Sequence, residues 1–281
     1  GNSVFQMVAM LICTVLNAVL DPVFIRLLVF RGAAIATLLS QTICLIVMVA
    51  YLGKKKLFSF HITRFSKDDI FPLIKKATPS VVQQCIPAVS TTFLTALIST
   101  YSISAIAAYG ISGKLEMVLL YPAMALNMVL TTIIGQCTGG GRYDKAKEYL
   151  KYALFYGGGL LLILSVLIVG MSGRLSGLFV QSHDVAVIVG QYFLVVGAGY
   201  VLCTVTNCFL GLLNGMGKPS GSMFLMIFYY IIIRIPLAYL LSYMGFGLTG
   251  IWIAILISHI VASATAVLTG MKQLKMAIYQ Q

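Results

Sequence analysis

The sequence contains very little charge for its length. Only 9% of its 281 residues are Asp, Glu, Lys or Arg, and only seven are acidic, whereas about 25% of a soluble domain is charged. Hydrophobic residues make up 60% of the chain. This composition excludes a soluble globular protein and indicates a protein that lies mostly inside a membrane.

The chain also lacks the residue patterns of several chemistries. Its six cysteines lie inside or at the ends of apolar runs, without the spacing of a metal site or a disulfide frame, so we interpret them as buried thiols. Gly139-Gly140-Gly141 is not followed by Gly-Lys-Ser/Thr and is therefore not a phosphate loop. No catalytic triad, paired acids or nucleotide motif is present. We therefore expect no enzyme activity, no ATP-driven transport, no cofactor and no metal.

Eight long apolar runs fill most of the chain. Each reaches the ~20 residues that a helix needs to cross ~30 Å of hydrocarbon. The runs cover residues 4–29, 32–52, 78–104, 113–137, 149–171, 184–213, 219–243 and 246–270. The pattern predicts an all-α polytopic membrane protein with eight transmembrane helices.

The basic residues predict the orientation of these helices. Fourteen of the 19 Lys and Arg residues lie in loops or ends joined by an even number of crossings. The positive-inside rule therefore predicts that both chain ends, the 53–77 loop and the 138–148 loop are cytoplasmic in a plasma-membrane protein. A net charge of +12 can indicate a nucleic-acid partner. These charges are spread over short loops, so we predict contact with membrane lipid and none with nucleic acid.

The longest polar stretch, residues 53–77, predicts the division of the chain. Ser66 and Asp69 have the spacing of a capping box ahead of an apolar segment, which predicts a short amphipathic helix on the cytoplasmic face. A weak internal similarity at an offset of 216 residues relates the first pair of runs to the last. We expect residues 1–57 to be the last two helices of a truncated N-terminal lobe, 58–77 a linker, and 78–281 a complete six-helix C-terminal lobe. Such duplicated lobes are typical of secondary transporters.

Ionisable residues inside a bilayer are costly and are therefore candidates for function. Asp21 follows Asn17 by four residues, on the same face of a helix. A carboxylate one turn from an amide can bind H⁺ or Na⁺ and change its charge as it does so. The alternative is that Asp21 reaches the outer interface and pairs with Arg26.

Two further charged residues, Glu116 and Arg234, lie within or beside apolar runs. Glu116 either faces a transport pathway or is a helix-start carboxylate favoured by the helix dipole. Arg234 either faces an acceptor in the cavity or reaches the outer headgroups. Both interpretations stay open at this stage for each residue.

Uncharged polar residues supply weaker signals. Gln83 and Gln84, between two prolines, mark a run typical of a cavity-lining helix. Asn127 is a pathway candidate, although hydrogen bonding between helices is the commoner use of such residues. His259 is a lone imidazole in the last run, for which a structural role is favoured over a proton relay.

Several motifs in order resemble those of the multidrug and toxic compound extrusion (MATE) transporters. They run from residue 1 to about residue 270. They are Asn17-Ala18-Val19-Leu20-Asp21-Pro22, Gly32-Ala33-Ala34-Ile35-Ala36-Thr37, Ala107-Ala108-Tyr109-Gly110, Gly135-Gln136 with Gly139-Gly140-Gly141-Arg142, Leu213-Asn214-Gly215-Met216-Gly217 and Arg234-Ile235-Pro236.

The resemblance implies helices five to twelve of a twelve-helix fold with two lobes. It implies an antiporter, monomeric when complete, that exports cationic or amphipathic organic compounds in exchange for H⁺ or Na⁺ by alternating access. In one branch of the family, Asn17, Asp21 and Thr37 match a cation site in the N-terminal lobe. Glu116 matches an acidic position near the start of helix eight, where it can attract cations.

The alternative function is a flippase for a lipid-linked saccharide, which shares this architecture. Such proteins usually carry several basic residues in the cavity to meet pyrophosphate. Arg234 is the single clear intramembrane cation in the sequence. The sequence therefore favours the exporter.

Overall fold

The computed structural model describes residues 3–55, 67–177 and 182–279, and helices account for nearly all of them. Its contacts divide the chain into two compact units, Gly1–Ser66 and Lys67–Gln281. The second unit begins at Lys67, inside the stretch 58–77 that was predicted to be the linker.

The first unit is a hairpin of two long apolar helices, α1 (Ser3–Leu28) and α2 (Phe30–Lys54). Val29 joins them with a φ of 51°, a left-handed conformation that is rare for a β-branched residue. The Cys13 thiol donates a hydrogen bond to the Ser40 carbonyl at 2.8 Å and so connects the helices near their middle.

Gly32 allows the first turn of α2 to lie directly against α1. A Cβ at this position would lie 2.0 Å from the Phe24 carbonyl oxygen, so any side chain forces the two backbones apart. We predict that Gly32→Ala lowers the thermal midpoint of the purified protein by several degrees. Gly53→Ala is the matched control, because nothing lies within 4 Å of its Cβ and alanine favours a helix. Equal midpoints for the two variants would contradict the close approach.

The second unit consists of nine α-helices and three π-helical segments within the described residues. The α-helices are α3 (Lys67–Ser99), α4 (Ile103–Gly139), α5 (Tyr143–Tyr152), α6 (Gly158–Ser176), α7 (His183–Val196), α8 (Gly199–Gly215), α9 (Pro219–Ile227), α10 (Ile235–Leu241) and α11 (Gly247–Tyr279). The π-helical segments are Ala153–Gly157, Phe228–Arg234 and Ser242–Phe246.

The described helices confirm the prediction of an all-α membrane fold. Six helical stretches are long and apolar enough to cross a membrane, and α7 with α8, bent by 53°, provides a seventh span. The stretch Pro219–Tyr279 is 61 residues long but is interrupted at Gly245, where φ is 93°. Since it divides there into two helices, the spans agree with the eight apolar runs.

Two helices begin earlier than the apolar runs indicated. α4 starts at Ile103, so Glu116 lies 13 residues, or ~20 Å, inside the helix. The interpretation of Glu116 as a helix-start carboxylate is therefore wrong. α3 starts at Lys67 and continues to Ser99, so residues 67–77 extend this helix and form no separate surface helix. The predicted cap Ser66 lies outside the described residues.

Two clusters of buried side chains hold the second unit together. One surrounds Trp252, Tyr192 and Phe193, all at most 2% exposed, and joins α4, α7 and α11. The other surrounds Leu130 and Phe209 and joins α4, α8 and α11. The candidate polar residues of this unit lie between and beside these clusters.

Candidate functional site

Two of the three predicted cation-binding residues of the first unit, Asn17 and Thr37, line one hollow, and the third, Asp21, is hydrogen-bonded to Asn17. The Asn17 amide donates a hydrogen bond to the Asp21 carboxylate across 3.4 Å, as the four-residue spacing predicts. Asn17 and Thr37 both line a hollow of about 410 Å³ between α1 and α2. The Thr37 hydroxyl donates to the Ala33 carbonyl, which leaves its oxygen lone pairs available to a cation. The structure thus places Asn17 and Thr37 on the lining of one hollow, with Asp21 hydrogen-bonded to Asn17.

Asp21 and Arg26 show no ion pair in the described part of the chain. The ion pair found there joins Lys145 and Glu148. Asp21 is partly buried, and its carboxylate accepts a hydrogen bond from Asn17. This geometry gives no support to the interpretation of Asp21 as one half of a surface ion pair.

In the second unit, a break between α7 and α8 positions two tyrosines. The helix bends by 53° at Gly197 and Ala198, and the Gly197 carbonyl accepts hydrogen bonds from the Ser165 hydroxyl at 2.8 Å and from the Tyr200 N–H at 3.3 Å. Such irregular backbone is tolerated at membrane depth where it is buried in protein or lines a cavity. Tyr192 precedes the break and Tyr200 follows it, so both lie at this irregular level of the span.

Glu116 lies against a cluster of aromatic side chains at this level. The Tyr192 hydroxyl donates to the Glu116 carboxylate across 3.2 Å. The Tyr192 ring packs edge-on against Trp252 at 4.9 Å, and Tyr109 stacks on Trp252 at 5.9 Å. The Tyr200 hydroxyl and the Trp252 N–H are buried without a hydrogen-bond partner among the described residues. The cluster thus combines one carboxylate, three packed aromatic rings and two further buried donors.

Arg234 is buried beside neutral partners. Its Nε donates to the Ser258 hydroxyl at 2.8 Å, and its Nη2 lies 3.4 Å from His259 Nε2. Because arginine only donates, this histidine nitrogen must accept, which requires the neutral imidazole. The guanidinium also lies 4.4 Å from the centre of the Tyr230 ring. Arg234 therefore lies inside the protein and does not reach the headgroups.

Glu116 and Arg234 interact electrostatically, although no ion pair within 4.0 Å joins them in the described ranges. Arg234 ends the π-helical segment Phe228–Arg234, two residues before Pro236. Proline has no N–H to donate, which accounts for irregular hydrogen bonding just ahead of it. A π-helical turn is often found at a functional site. The last residue of this one, Arg234, contacts Ser258 and His259. We call Glu116, which is partly buried, and the buried residues Tyr192, Arg234, Ser258 and His259 the buried charge cluster.

The other pathway candidates lie elsewhere. Asn127 is 11 residues, or ~16 Å, along α4 from Glu116 and hydrogen-bonds to Asn207 on α8 at 3.4 Å. The sequence left open whether Asn127 lines a pathway or joins helices, and this hydrogen bond joins two helices. Gln83 is buried; it donates to the Pro219 carbonyl at 2.9 Å and accepts from Asn214, so it ties α3 to the α8–α9 turn.

Gln84, unlike Gln83, belongs to an exposed polar strip on α3. Its hydroxyl members line a hollow of about 390 Å³ on the second unit. The strip consists of Gln84, Thr91, Thr92, Thr95 and Ser99, and all of them are exposed except Thr95, which is partly buried. Their spacing of three, four or seven residues places them on one face of the helix. Polar groups on an exposed face of a membrane helix fit a water-filled path better than lipid.

Sequence reasoning missed this strip and the tyrosines beside Glu116. The strip was detectable, because hydroxyl residues recur at helical spacing within an apolar run. The positions of Tyr192 and Tyr200 were missed because run 184–213 was interpreted as one continuous span, although Gly197-Ala198-Gly199 marks the break. Nothing in the sequence distinguishes Ser258 from the other serines that lie within apolar runs.

Known proteins resemble this chain in sequence and fold. The family model MatE matches residues 79–240. The probable multidrug resistance protein NorM of Pasteurella multocida is 27% identical over 157 residues, covering 54% of this chain and 34% of that protein. The FAD transporter of Shewanella oneidensis is 27% identical over 270 residues, covering 92% of this chain and 59% of that protein.

The crystal structure of a mutant of the Vibrio cholerae MATE transporter VcmN superposes on the whole chain. The TM-score is 0.92 at 22% identity, and the match covers 65% of that protein. The chain spans about half the length of the curated relatives that it matches.

The long apolar helices and these similarities define a multi-pass membrane protein. The family model covers more than half of the chain, and the chain therefore belongs to the MatE family of MATE transporters. These comparisons do not favour the flippase alternative.

Proposed function

We propose that the protein is a secondary active antiporter that exports cationic or amphipathic organic compounds in exchange for H⁺ or Na⁺. The observation that carries this proposal is the hydrogen-bonded Asn17–Asp21 pair beside a hollow that Thr37 also lines. Carboxylate, amide and hydroxyl oxygens are hard ligands suited to small cations. A carboxylate in this position can bind an ion from one side and release it to the other.

The buried charge cluster and the α3 strip support a substrate pathway in the second unit. Aromatic rings and a carboxylate together attract organic cations. In this structure Trp252 and Tyr192 are almost fully buried, so the site must open before a substrate reaches Glu116. We propose that Gln84 and the exposed threonines provide the hydrated surface along which it arrives. Arg234 then balances the Glu116 charge when no substrate is bound.

The proposal places the protein in the plasma membrane with both ends of this chain in the cytoplasm. The support is the concentration of Lys and Arg in loops joined by an even number of crossings. We further propose that the complete transporter acts as a monomer, with the pathway inside one chain.

Transport by proteoliposomes tests the proposal. The full-length protein containing this chain would be reconstituted, and efflux of ethidium would be followed with an H⁺ gradient, with a Na⁺ gradient and with neither. We expect one ion gradient to speed efflux of the dye. Equal rates in all three conditions, or rates equal to protein-free liposomes, would contradict the antiporter. FAD is the second compound to test, because a relative whose match covers 92% of this chain is named as an FAD transporter.

A further inference from the structure

A large hollow on the second unit shares none of its lining residues with the buried charge cluster or the α3 strip. It has a volume of about 880 Å³ and runs beside α5 and the π-helical segment Ala153–Gly157. Phe209 on α8 and Met271 on α11 also line it. Its lining extends from Asp144 to Tyr156, which corresponds to ~18 Å along the helix axis. We call this hollow the α5 groove.

One end of the α5 groove presents positive charge. Lys147 and Lys151 both line it, and their four-residue spacing places them on the same helix face. Neither ammonium group has a hydrogen-bond or ion-pair partner among the described residues. Glu148 is engaged on both oxygens, by the Lys145 ammonium at 2.8 Å and the Tyr152 hydroxyl at 3.4 Å. Asp144 also lines the groove, so the two lysines exceed the one carboxylate that is not paired with a lysine by a single positive charge.

The other end of the α5 groove is apolar and aromatic. Phe155 and Tyr156 are 74% and 69% exposed, and their rings contact each other edge-on at 5.3 Å. Leu150 and Phe209, by contrast, are almost fully buried and close the side of the groove. Aromatic residues exposed next to lysines at the end of a membrane span are typical of the water–lipid interface.

We propose that the α5 groove binds a phospholipid with an anionic headgroup. Lys147 and Lys151 contact the phosphate, and the acyl chain lies along Leu154 and Phe155. Anionic lipid is the occupant that matches both ends, since Lys147 and Lys151 outnumber the unpaired Asp144 carboxylate and the aromatic end is exposed where acyl chains lie. The predicted orientation places this groove at the cytoplasmic leaflet, where anionic lipid attracts basic residues near the membrane surface.

A tryptophan reporter in the groove tests this proposal. The sequence has a single tryptophan, Trp252, and it is 0% exposed, so lipid cannot reach it. Phe155→Trp places a second indole where the acyl chain is expected. The full-length protein with this substitution would be reconstituted in phosphatidylcholine vesicles containing increasing fractions of phosphatidylglycerol with brominated tails. The tryptophan fluorescence of the protein without the substitution would be subtracted as background.

We expect brominated phosphatidylglycerol to quench the reporter at a mole fraction roughly tenfold below that of brominated phosphatidylcholine. Lys147→Gln with Lys151→Gln should abolish this preference. Lys54→Gln with Lys55→Gln removes the same charge from the end of α2 and should preserve it. Equal quenching by the two lipids, or a preference that survives in the Lys147 and Lys151 variant, would overturn the proposal. Displacement of the quencher by ethidium but not by unbrominated phosphatidylglycerol would also overturn it, in favour of a substrate site.

Discussion

Asp21→Asn is expected to abolish ion-driven efflux while leaving the protein folded. The amide keeps the size of the carboxylate and can still accept a hydrogen bond from Asn17, so the hairpin of α1 and α2 retains its contacts. It cannot, however, bind and release a proton, and it has no charge to offer Na⁺. We expect export against a concentration gradient to fall to the background of protein-free liposomes.

Arg26→Gln is the control that separates coupling from a structural role. If Asp21 served as the partner of Arg26 at the interface, removal of either charge would have a similar effect. The described residues contain no such ion pair, so Arg26→Gln should leave the efflux rate within about twofold of the rate of the unsubstituted protein. Unchanged efflux in Asp21→Asn would exclude this carboxylate as the coupling group.

Arg234→Leu is expected to have the largest effect on stability. It removes the hydrogen bonds to Ser258 and His259 and leaves the Glu116 carboxylate without its nearby positive charge. Leaving a buried polar group without its hydrogen-bond partner typically costs about 1–3 kcal/mol. We expect a marked fall in the thermal midpoint measured by size-exclusion chromatography of heated, detergent-solubilised protein.

A double-mutant cycle tests whether the two charges balance each other. Glu116→Gln in the Arg234→Leu background removes the stranded charge and should recover part of the lost stability, although transport stays low. Glu116→Gln alone keeps an acceptor for the Tyr192 hydroxyl. Strictly additive losses would show that Glu116 and Arg234 act independently and would contradict the buried charge cluster as a unit.

The eight spans could be predicted from the sequence because each crossing needs an uninterrupted apolar run. Their ends were less predictable, since hydropathy marks where a chain becomes apolar and not where its helix begins. Residues 103–112 contain small and polar side chains and lie outside the predicted run, yet they continue α4. That difference moved Glu116 from a predicted helix start to the interior of the protein.

The pairing of side chains was predictable within a helix and not between helices. Asn17 and Asp21 meet because four residues make about one turn, which spacing alone reveals. Arg234, Ser258 and His259 come from a π-helical segment and α11, 24 or 25 residues apart, and their contact depends on how these elements pack. The break at Gly197 likewise reflects tertiary packing around Ser165.

Ion movement driven by substrate tests the central claim most directly. Proteoliposomes without an imposed ion gradient would receive ethidium on one side, and internal pH and Na⁺ would be followed with fluorescent indicators. We predict that the dye gradient drives H⁺ or Na⁺ in the opposite direction in the original protein and that Asp21→Asn shows no ion movement. Dye movement without any accompanying ion movement, in the original protein, would contradict coupled antiport through Asp21.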